Sequence, residues 1–197
     1  MEPNKNRIFL RGRLAAPPAL SHVNHGVEYL MLPLTVHRLS GTEDTLHIVA
    51  ARERLDGLVL DTGSPLAVAG EVRTFNNRSG VGRRLVVSVF ARELSQEAGE
   101  DENRLELSGT LCKPPVLRST PLGRTICDMI LAINRKYGRA DYLPCIAWGS
   151  LAYRCGEMAV GDRLALEGRL QSRVYTKEVD GQLQERTAFE VSIMSLD

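Results

Sequence analysis

Two tyrosines stand beside basic residues in polar stretches of the chain. Tyr137 lies in the run RKYGR (135–139), where packing into a hydrophobic core is hard to arrange, and Tyr175 lies between Arg173 and Lys177. Aromatic residues are scarce, with one Trp, five Tyr and four Phe in 197 residues. An exposed ring offers a flat apolar surface to another π-system, and a neighbouring cation attracts an anion such as phosphate. These stretches therefore favour a binding surface over a catalytic centre.

The residue types that usually carry catalysis or bind metals are not arranged for either task. The chain contains no G-x-S-x-G, no P-loop and no H-E-x-x-H, so we expect neither an enzyme nor a cofactor. His22 and His25 are close in sequence but lack an evident third ligand, which predicts a solvated loop. The cysteines have no C-x-x-C spacing, so buried, reduced thiols are expected, with a zinc site as the alternative. They are Cys112, Cys127, Cys145 and Cys155.

The net charge of the chain is only +1, so a nucleic-acid site would have to come from local clustering of basic residues. No apolar run is long enough to span a bilayer. The N-terminal stretch MEPNKNRIFLRGRL lacks the apolar core of a signal peptide. These features predict a cytoplasmic protein without a membrane partner.

The chain contains an internal repeat. NRIFLRGRLAAPPAL at 6–20 aligns with NRLELSGTLCKPPVL at 103–117, an offset of 97 residues, and GSPLAVAGEV at 63–72 aligns with GDRLALEGRL at 161–170, an offset of 98. One inserted residue over such a length indicates two copies of one fold. The polar, acidic stretch QEAGEDE predicts a linker at 96–102, between a first domain at 1–95 and a second at 103–197.

Each copy has the pattern of an all-β domain with a short helix. The second copy alternates apolar and polar residues in NRLELSGTL, continues with the apolar TICDMILAI and YLPCIAW, and then reaches the helical spacing of SLAYRCGEMA (150–159). Two further strands follow, joined at Asp180-Gly181, a strong hairpin signal. ARERLDGLVL (51–60) is the matching helix of the first copy, and 76–84 is its hairpin loop. This order predicts two tandem five-stranded Greek-key barrels of the oligonucleotide-binding (OB) type.

Three stretches of the second copy carry a family resemblance: NRLELSGTLCKPPVLR, LAINRKYGRADYLPCIAWGSLA and GDRLALEGRLQSRVY. In this order and spacing, they resemble the bacterial single-stranded DNA-binding proteins. The resemblance implies non-specific binding of single-stranded DNA in replication, recombination or repair, at the nucleoid. It places base stacking and phosphate contacts on a set of aromatic and basic side chains. These are Tyr137, Tyr142, Trp148, Tyr175, Arg135, Lys136, Arg139, Arg173 and Lys177.

The first copy keeps the barrel pattern but lacks aromatic residues at the four equivalent positions. Those positions are Ser40, Thr45, Ala51 and a residue near Asn77. We expect the first copy to contribute weaker phosphate contacts, or mainly a pairing surface. The basic residues assigned to these contacts are Arg38, Arg73, Arg83 and Arg84.

The resemblance also implies an assembly of four barrels. Single-barrel members of the family form tetramers and two-barrel chains form dimers, so a homodimer is expected, with NRIFLRGRL and NRLELSGTL as candidate pairing surfaces. The chain ends at FEVSIMSLD, without the acidic tail through which family members recruit replication and repair enzymes. A primosomal-type adaptor, acting mainly through protein partners, is therefore the alternative function.

Overall fold

The computed structural model describes residues 4–77 and 85–197, and most of these residues lie in β-strands. The strands of the first half are β1 (Asn6–Leu14), β2 (Ala19–Asn24), β3 (Val27–His37), β4 (Glu43–Ala51), β5 (Pro65–Asn76) and β6 (Leu85–Ser95). Those of the second half are β7 (Glu102–Leu111), β8 (Val116–Ser119), β9 (Thr125–Asn134), β10 (Ala140–Trp148), β11 (Arg163–Val179) and β12 (Gln182–Leu196). One α-helix, α1 (Ser150–Gly156), and two short 3-10 turns, Arg52–Leu55 and Lys136–Gly138, complete the described elements.

The strand pairing closes each half on itself. In the first half, β1 pairs with β3 and β5, β3 with β4, β5 with β6, and β4 runs parallel to β6. In the second half, β7, β9, β10, β12 and β11 repeat this ring, again with one parallel pair, β10 with β12. This is the strand order of the predicted OB fold, and the all-β prediction is confirmed.

Alternation along the strands builds the interior of each barrel. β3 alternates strictly from Leu30 to Val36, with the even-numbered side chains buried, and β7 buries Leu105 and Leu107. The buried apolar side chains of both halves form one contiguous cluster. The odd-numbered side chains of β3 and β4 are left on the outer face, where a ligand can reach the exposed ones.

The glycines that recur in the repeat mark a close approach between strands. The ladder between β5 and β6 shifts register at Gly70, and the ladder between β11 and β12 shifts at Gly168. A Cβ atom on Gly70 would lie 2.1 Å from the carbonyl oxygen of Phe90, and one on Gly168 would lie 2.3 Å from that of Ser192. Both positions therefore require glycine because the partner backbone occupies the space of a side chain.

The helix expected at 51–60 in the first half is wrong. Only the 3-10 turn Arg52–Leu55 forms there, and Gly57 follows in the left-handed region at φ 78°. That backbone conformation ends a helix, so the apolar residues beyond it cannot continue the helical face. In the second half α1 is shorter than the predicted 150–159 because it ends at Gly156, and its N-cap residue is Gly149, not Ser150.

Two short strands were not predicted. β2 and β8 extend β3 and β9 as exposed hairpin arms, so they lack the alternating burial that marks the other strands. At the other end of the second half, the predicted Asp180-Gly181 hairpin is confirmed: both residues have positive φ, 52° and 76°, as a type I′ turn between β11 and β12 requires.

The two barrels are joined by their first strands. β1 pairs antiparallel with β7, and Ile8 lies opposite its own repeat equivalent, Leu105. The pairing therefore has an approximate twofold axis between these two residues and fuses both halves into one 12-stranded sheet. The expectation that NRIFLRGRL and NRLELSGTL pair between two chains is corrected, because within one chain each already satisfies the other's backbone edge.

Candidate nucleic-acid interface

Tyr142 and Trp148 lie on the same outer face of β10. They are six positions apart on the strand, and Leu143, Cys145 and Ala147, which alternate with them, are buried. Tyr142 is 50% exposed and Trp148 is 37% exposed, although both are large rings at the edge of a well-buried strand. Part of each ring therefore remains open to a flat partner from solvent.

Tyr137 occupies the turn between β9 and β10. Its side chain is 96% exposed, and its backbone is left-handed at φ 62°, uncommon for a residue with a side chain. The Arg135 amide donates to the Arg139 carbonyl at 2.7 Å and closes the turn. Lys136 and Arg139 are exposed and form no ion pair with any residue that the structure describes. The turn thus presents a free ring between two free cations, as its polar sequence predicted.

Tyr175 lies on β11, on the same sheet face as the β10 aromatics. Ile146 of β10, which is an even number of positions from Trp148, lies opposite Ser192 of β12, and Ser192 pairs with Arg169 of β11. Tyr175 is six positions further along β11 than Arg169, so it lies on the same face. The ring is half-buried, with the Arg173 guanidinium 5.6 Å from its centroid. The Nε of Arg173 lies 3.5 Å from Glu190. Lys177 is exposed further along the hairpin.

A basic residue missed by the sequence analysis, Arg118, stands on the same face. It lies on the short strand β8 opposite Ile126, which in turn lies opposite Trp148. Its guanidinium forms an ion pair with Asp128. The stretch containing it carries no strand pattern, so only the observed pairing of β8 with β9 places Arg118 beside the aromatic surface.

Arg38 holds the two barrels together. Its guanidinium makes two hydrogen bonds of 2.7 Å to the carboxylate of Asp44 and a third, also 2.7 Å, to the carbonyl of Ser172. The Asp44 oxygen Oδ1 accepts the amide and the hydroxyl of Ser172 at 2.7 and 2.8 Å. Arg38 is only 18% exposed, and its Nε and Nη2 atoms already donate to this contact between the barrels.

A related contact occurs at the equivalent positions in the opposite direction. Arg135 lies 3.1 Å from Asp141, and Asp141 accepts the Thr74 amide of the first barrel at 2.7 Å. The hydroxyl of Thr74 accepts the Tyr142 amide at 2.9 Å. Each barrel therefore offers one Arg–Asp pair to a strand of the other, and the second pair anchors the start of the strand that carries Tyr142.

The remaining weaker candidates differ in how they are placed. The guanidinium of Arg73 forms an ion pair with Glu71 and lies 5.7 Å from the ring of Phe90. Arg83, Arg84 and most of the loop expected at 76–84 lie outside the described residues. None of these observations tests the predicted phosphate contacts, which stay predictions.

The histidines and cysteines form no metal site within residues 4–77 and 85–197. All four cysteines are free thiols. Burial, with a smaller contribution from Cys127, raises the pKa of Cys155 to about 11, so its thiol is protonated and unreactive at neutral pH. In the part of the chain that the structure describes, no helix is long and apolar enough to cross a membrane.

Comparison with known proteins agrees with this geometry. The model of the "Single-strand binding protein family" matches residues 102–197. The structure of the single-stranded DNA binding protein from Thermus aquaticus superposes on the whole chain with a TM-score of 0.81 at 25% identity, covering 93% of that chain. The second half of this chain belongs to the single-strand binding protein family.

Two relatives show how the family resemblance is distributed. The single-stranded DNA-binding protein of Thermus thermophilus is 27% identical over 201 residues, which cover 87% of this chain and 76% of the relative. Single-stranded DNA-binding protein A of Bacillus subtilis is 34% identical over 83 residues, 39% of this chain and 48% of that protein. The chain thus aligns with the Thermus protein over most of its length and with about half of the Bacillus protein.

The first barrel has aromatic residues of its own, which the sequence analysis missed. Tyr29 stacks on His22 at 4.8 Å and lies 5.9 Å from Phe90, while Phe75 is exposed on β5. They do not occupy the positions equivalent to the second-barrel set. The alternation along β3 and β6 places Tyr29 and Phe90 on the outer face, and this pattern is the signal that could have identified them.

Proposed function

We propose that the protein binds single-stranded DNA without sequence preference, chiefly through the outer face of the second barrel. The observation that carries this proposal is Tyr137, a 96% exposed ring between two exposed cations that lack ion-pair partners among the described residues. Folding gains little from an aromatic side chain left in water. A flanking phosphate and an unstacked base would use all three side chains at once.

The proposed contacts divide the work between stacking and charge. Bases stack on Tyr137, Tyr142, Trp148 and Tyr175, and each stack contributes about 1–3 kcal/mol. Lys136, Arg139, Arg173 and Lys177 neutralise phosphates, with Arg135 joining them where its pair with Asp141 allows. Because every base has a π-face, this arrangement binds without reading the sequence.

This proposal places the protein at the nucleoid, in replication, recombination or repair, as a binding protein without catalysis. We propose further that residues 1–95 and 103–197 are two units with distinct tasks. The connecting segment is bound to the first unit: Gln96 exchanges hydrogen bonds with the backbone of Val59, and Asp101 accepts the His37 amide at 2.7 Å. We propose that the first unit contributes weaker phosphate contacts or mainly a pairing surface for the second.

Binding to DNA is expected to quench the fluorescence of Trp148. It is the only tryptophan and is 37% exposed, so a base stacked on or beside the indole changes a signal without background from other tryptophans. Titration with oligo-dT should quench the emission saturably, and the affinity should fall as salt rises because phosphate contacts release counterions. Duplex DNA is the control, since its bases are already stacked.

The adaptor alternative predicts a different result from the same titration. A folded protein that shows no response to oligo-dT, by fluorescence or by anisotropy of labelled DNA, would contradict the proposed function and favour a role through protein partners. If anisotropy shows binding but the fluorescence of Trp148 is not quenched, only Trp148 is removed from the proposed contacts.

We propose that the protein is a homodimer with four OB folds and that it contacts replication or repair proteins. Because β1 and β7 pair within the chain, the contact between chains must use other surfaces. Sedimentation equilibrium at micromolar concentration should give twice the chain mass of 21.8 kDa. A monomer mass together with intact oligo-dT binding would contradict the dimer.

A further inference from the structure

Thr74, on β5 of the first barrel, holds two successive residues of the second barrel. Its amide donates to the Asp141 carboxylate at 2.7 Å, and its hydroxyl accepts the Tyr142 amide at 2.9 Å. Thr74 is only 7% exposed and Asp141 is fully buried, so these hydrogen bonds form in a largely dry environment, where they are stronger than in water. The first barrel thus grips the start of β10 from below the exposed aromatic surface.

The hydrogen bond to Tyr142 lies where β10 has a strand partner on one side only. β9 pairs with β10 from Ala140 to Trp148, whereas β12 pairs with β10 only at Cys145 and Ile146. Beyond that short pairing, the hydroxyl of Thr74 supplies the acceptor that a neighbouring strand would otherwise provide. A backbone amide that loses its acceptor away from water is costly, so without this hydroxyl the start of β10 would shift to find another.

The same contact ties both ends of the turn that carries Tyr137. Arg135 precedes the turn Lys136–Gly138 and Asp141 follows it, and the Nε of Arg135 lies 3.1 Å from Oδ2 of Asp141. These two atoms are not aligned for a hydrogen bond. Within the part of the chain that the structure describes, the hydrogen bonds to the Asp141 carboxylate therefore come from Thr74.

The equivalent contact in the reverse direction has more support. Asp44 accepts two aligned hydrogen bonds from the Arg38 guanidinium in addition to those from the amide and hydroxyl of Ser172. Asp141 therefore depends on Thr74 more than Asp44 depends on Ser172. The less supported contact is the one that leads to the aromatic surface.

We propose that Thr74 is a positioning residue for DNA binding, which fixes the ring of Tyr142 in relation to that of Tyr137 through Asp141 and the Tyr142 amide. The inference rests on the proposed function and deepens it, because it gives a buried residue of the first barrel a role in affinity without any contact with the DNA. Rings that are already held in place bind a strand without the entropic cost of ordering them during binding.

The test compares two variants that each remove one hydroxyl from a contact between the barrels. Thr74→Val removes the acceptor of the Tyr142 amide. Ser172→Ala is the matched control, because its hydroxyl holds Asp44, which is followed on β4 by Thr45 instead of an aromatic residue. Urea unfolding followed by circular dichroism checks that both variants fold, and anisotropy of labelled oligo-dT measures their affinity.

Thr74→Val should bind oligo-dT about 3- to 10-fold more weakly than wild type, the effect of having to order a side chain during binding, whereas Ser172→Ala should match wild type. The slope of log affinity against log salt should not change, because no phosphate contact is lost. Thr74→Ser keeps the hydroxyl and should bind like wild type. Thr74→Ala removes the hydroxyl without placing a methyl group against the Tyr142 amide, so it should show the same loss and replaces Thr74→Val if that variant does not fold.

A double-mutant cycle with Tyr142→Ala separates positioning from a general loss of stability. If Thr74 acts through the ring of Tyr142, Thr74→Val should weaken binding much less in the Tyr142→Ala background than in wild type, whereas independent effects would add. Equal losses in the two backgrounds would overturn the inference. So would a Thr74→Val affinity equal to that of Ser172→Ala, or a loss in Thr74→Ser as large as in Thr74→Val. Wild-type protein that fails to bind oligo-dT would instead reject the proposed function itself.

Discussion

Replacing Asp44 with alanine is expected to lower the free energy of unfolding by about 3–5 kcal/mol, the usual cost of removing one partner of a buried ion pair. The Asp44 carboxylate is fully buried and accepts from both the Arg38 guanidinium and the backbone and side chain of Ser172. Without it, a largely buried cation and a buried amide lose their acceptor at the contact between barrels. The measurement is urea unfolding followed by circular dichroism, with Thr45→Ala as the control on the same strand. Thr45 is exposed, so its replacement should change stability by less than about 0.5 kcal/mol.

Acid should reduce the difference between wild type and Asp44→Ala. Burial raises the pKa of Asp44, but the hydrogen bonds from Arg38 and Ser172 outweigh burial and hold the pKa below its usual value of 3.8. A lowered pKa in the folded state means that the stabilisation is complete above the unfolded pKa and is lost as the pH falls through the folded one. The difference between the two proteins should therefore shrink as the pH falls below about 4. A difference that stays constant into this range, or one no larger than that of Thr45→Ala, would contradict the assigned role.

The architecture could be predicted from the sequence because it depends on short-range patterns that occur twice. Alternation specifies the strands, Asp180-Gly181 specifies a turn through its positive φ values, and the repeat offset relates the two barrels. The Arg–Asp spacing also recurs, at Arg38 with Asp44 and at Arg135 with Asp141. That spacing carries a signal that the sequence analysis did not use: an acidic residue near the start of an otherwise apolar strand is buried only with a partner.

The partners across the barrels could not be predicted in the same way. Ser172 is 128 residues from Asp44, and nothing in its surroundings distinguishes its amide from others on β11. Likewise, β1 offers the same backbone hydrogen bonds to β7 of its own chain as to a strand of another chain, so the pattern alone does not choose between them. Chain connectivity decides this, since the segment after Ser95 is short and leads directly into β7 beside β1.

The residues of the candidate site differ in the same way: local sequence predicts some of them, and contacts across the barrels determine the others. Tyr137 was predicted to be exposed because its neighbours in sequence are polar, and those neighbours stay close whatever the rest of the chain does. The roles of Arg38 and Arg135 were harder to foresee because they depend on the second barrel and the first, respectively. A groove between the barrels that is lined by basic residues was missed for a related reason. Its residues Arg7, Arg92 and Arg139 belong to three separate segments that only the fold brings together.

Replacing Tyr137 and Tyr175 together with alanine is expected to weaken binding of oligo-dT by about 2–6 kcal/mol, at least roughly 30-fold, since two stacks of about 1–3 kcal/mol each are lost. Anisotropy of labelled oligo-dT at fixed salt measures the affinity. Tyr153→Ala is a control of the same residue type, because Tyr153 is exposed on α1 and is not one of the proposed contacts. Its replacement should leave the affinity unchanged.

The conservative pair Tyr137→Phe and Tyr175→Phe separates stacking from other roles of these tyrosines. Phenylalanine keeps the ring and removes only the hydroxyl, so binding should remain close to wild type if the π-face makes the contact. The double variant Arg83→Ala and Arg84→Ala should lose much less than the alanine pair, because charge contacts along a strand are partly redundant and are screened by salt. Equal losses from the tyrosine and arginine pairs would make the first barrel an equal partner in binding. Loss of affinity in the phenylalanine pair as large as in the alanine pair would show that the hydroxyl groups, not the rings, carry the contact.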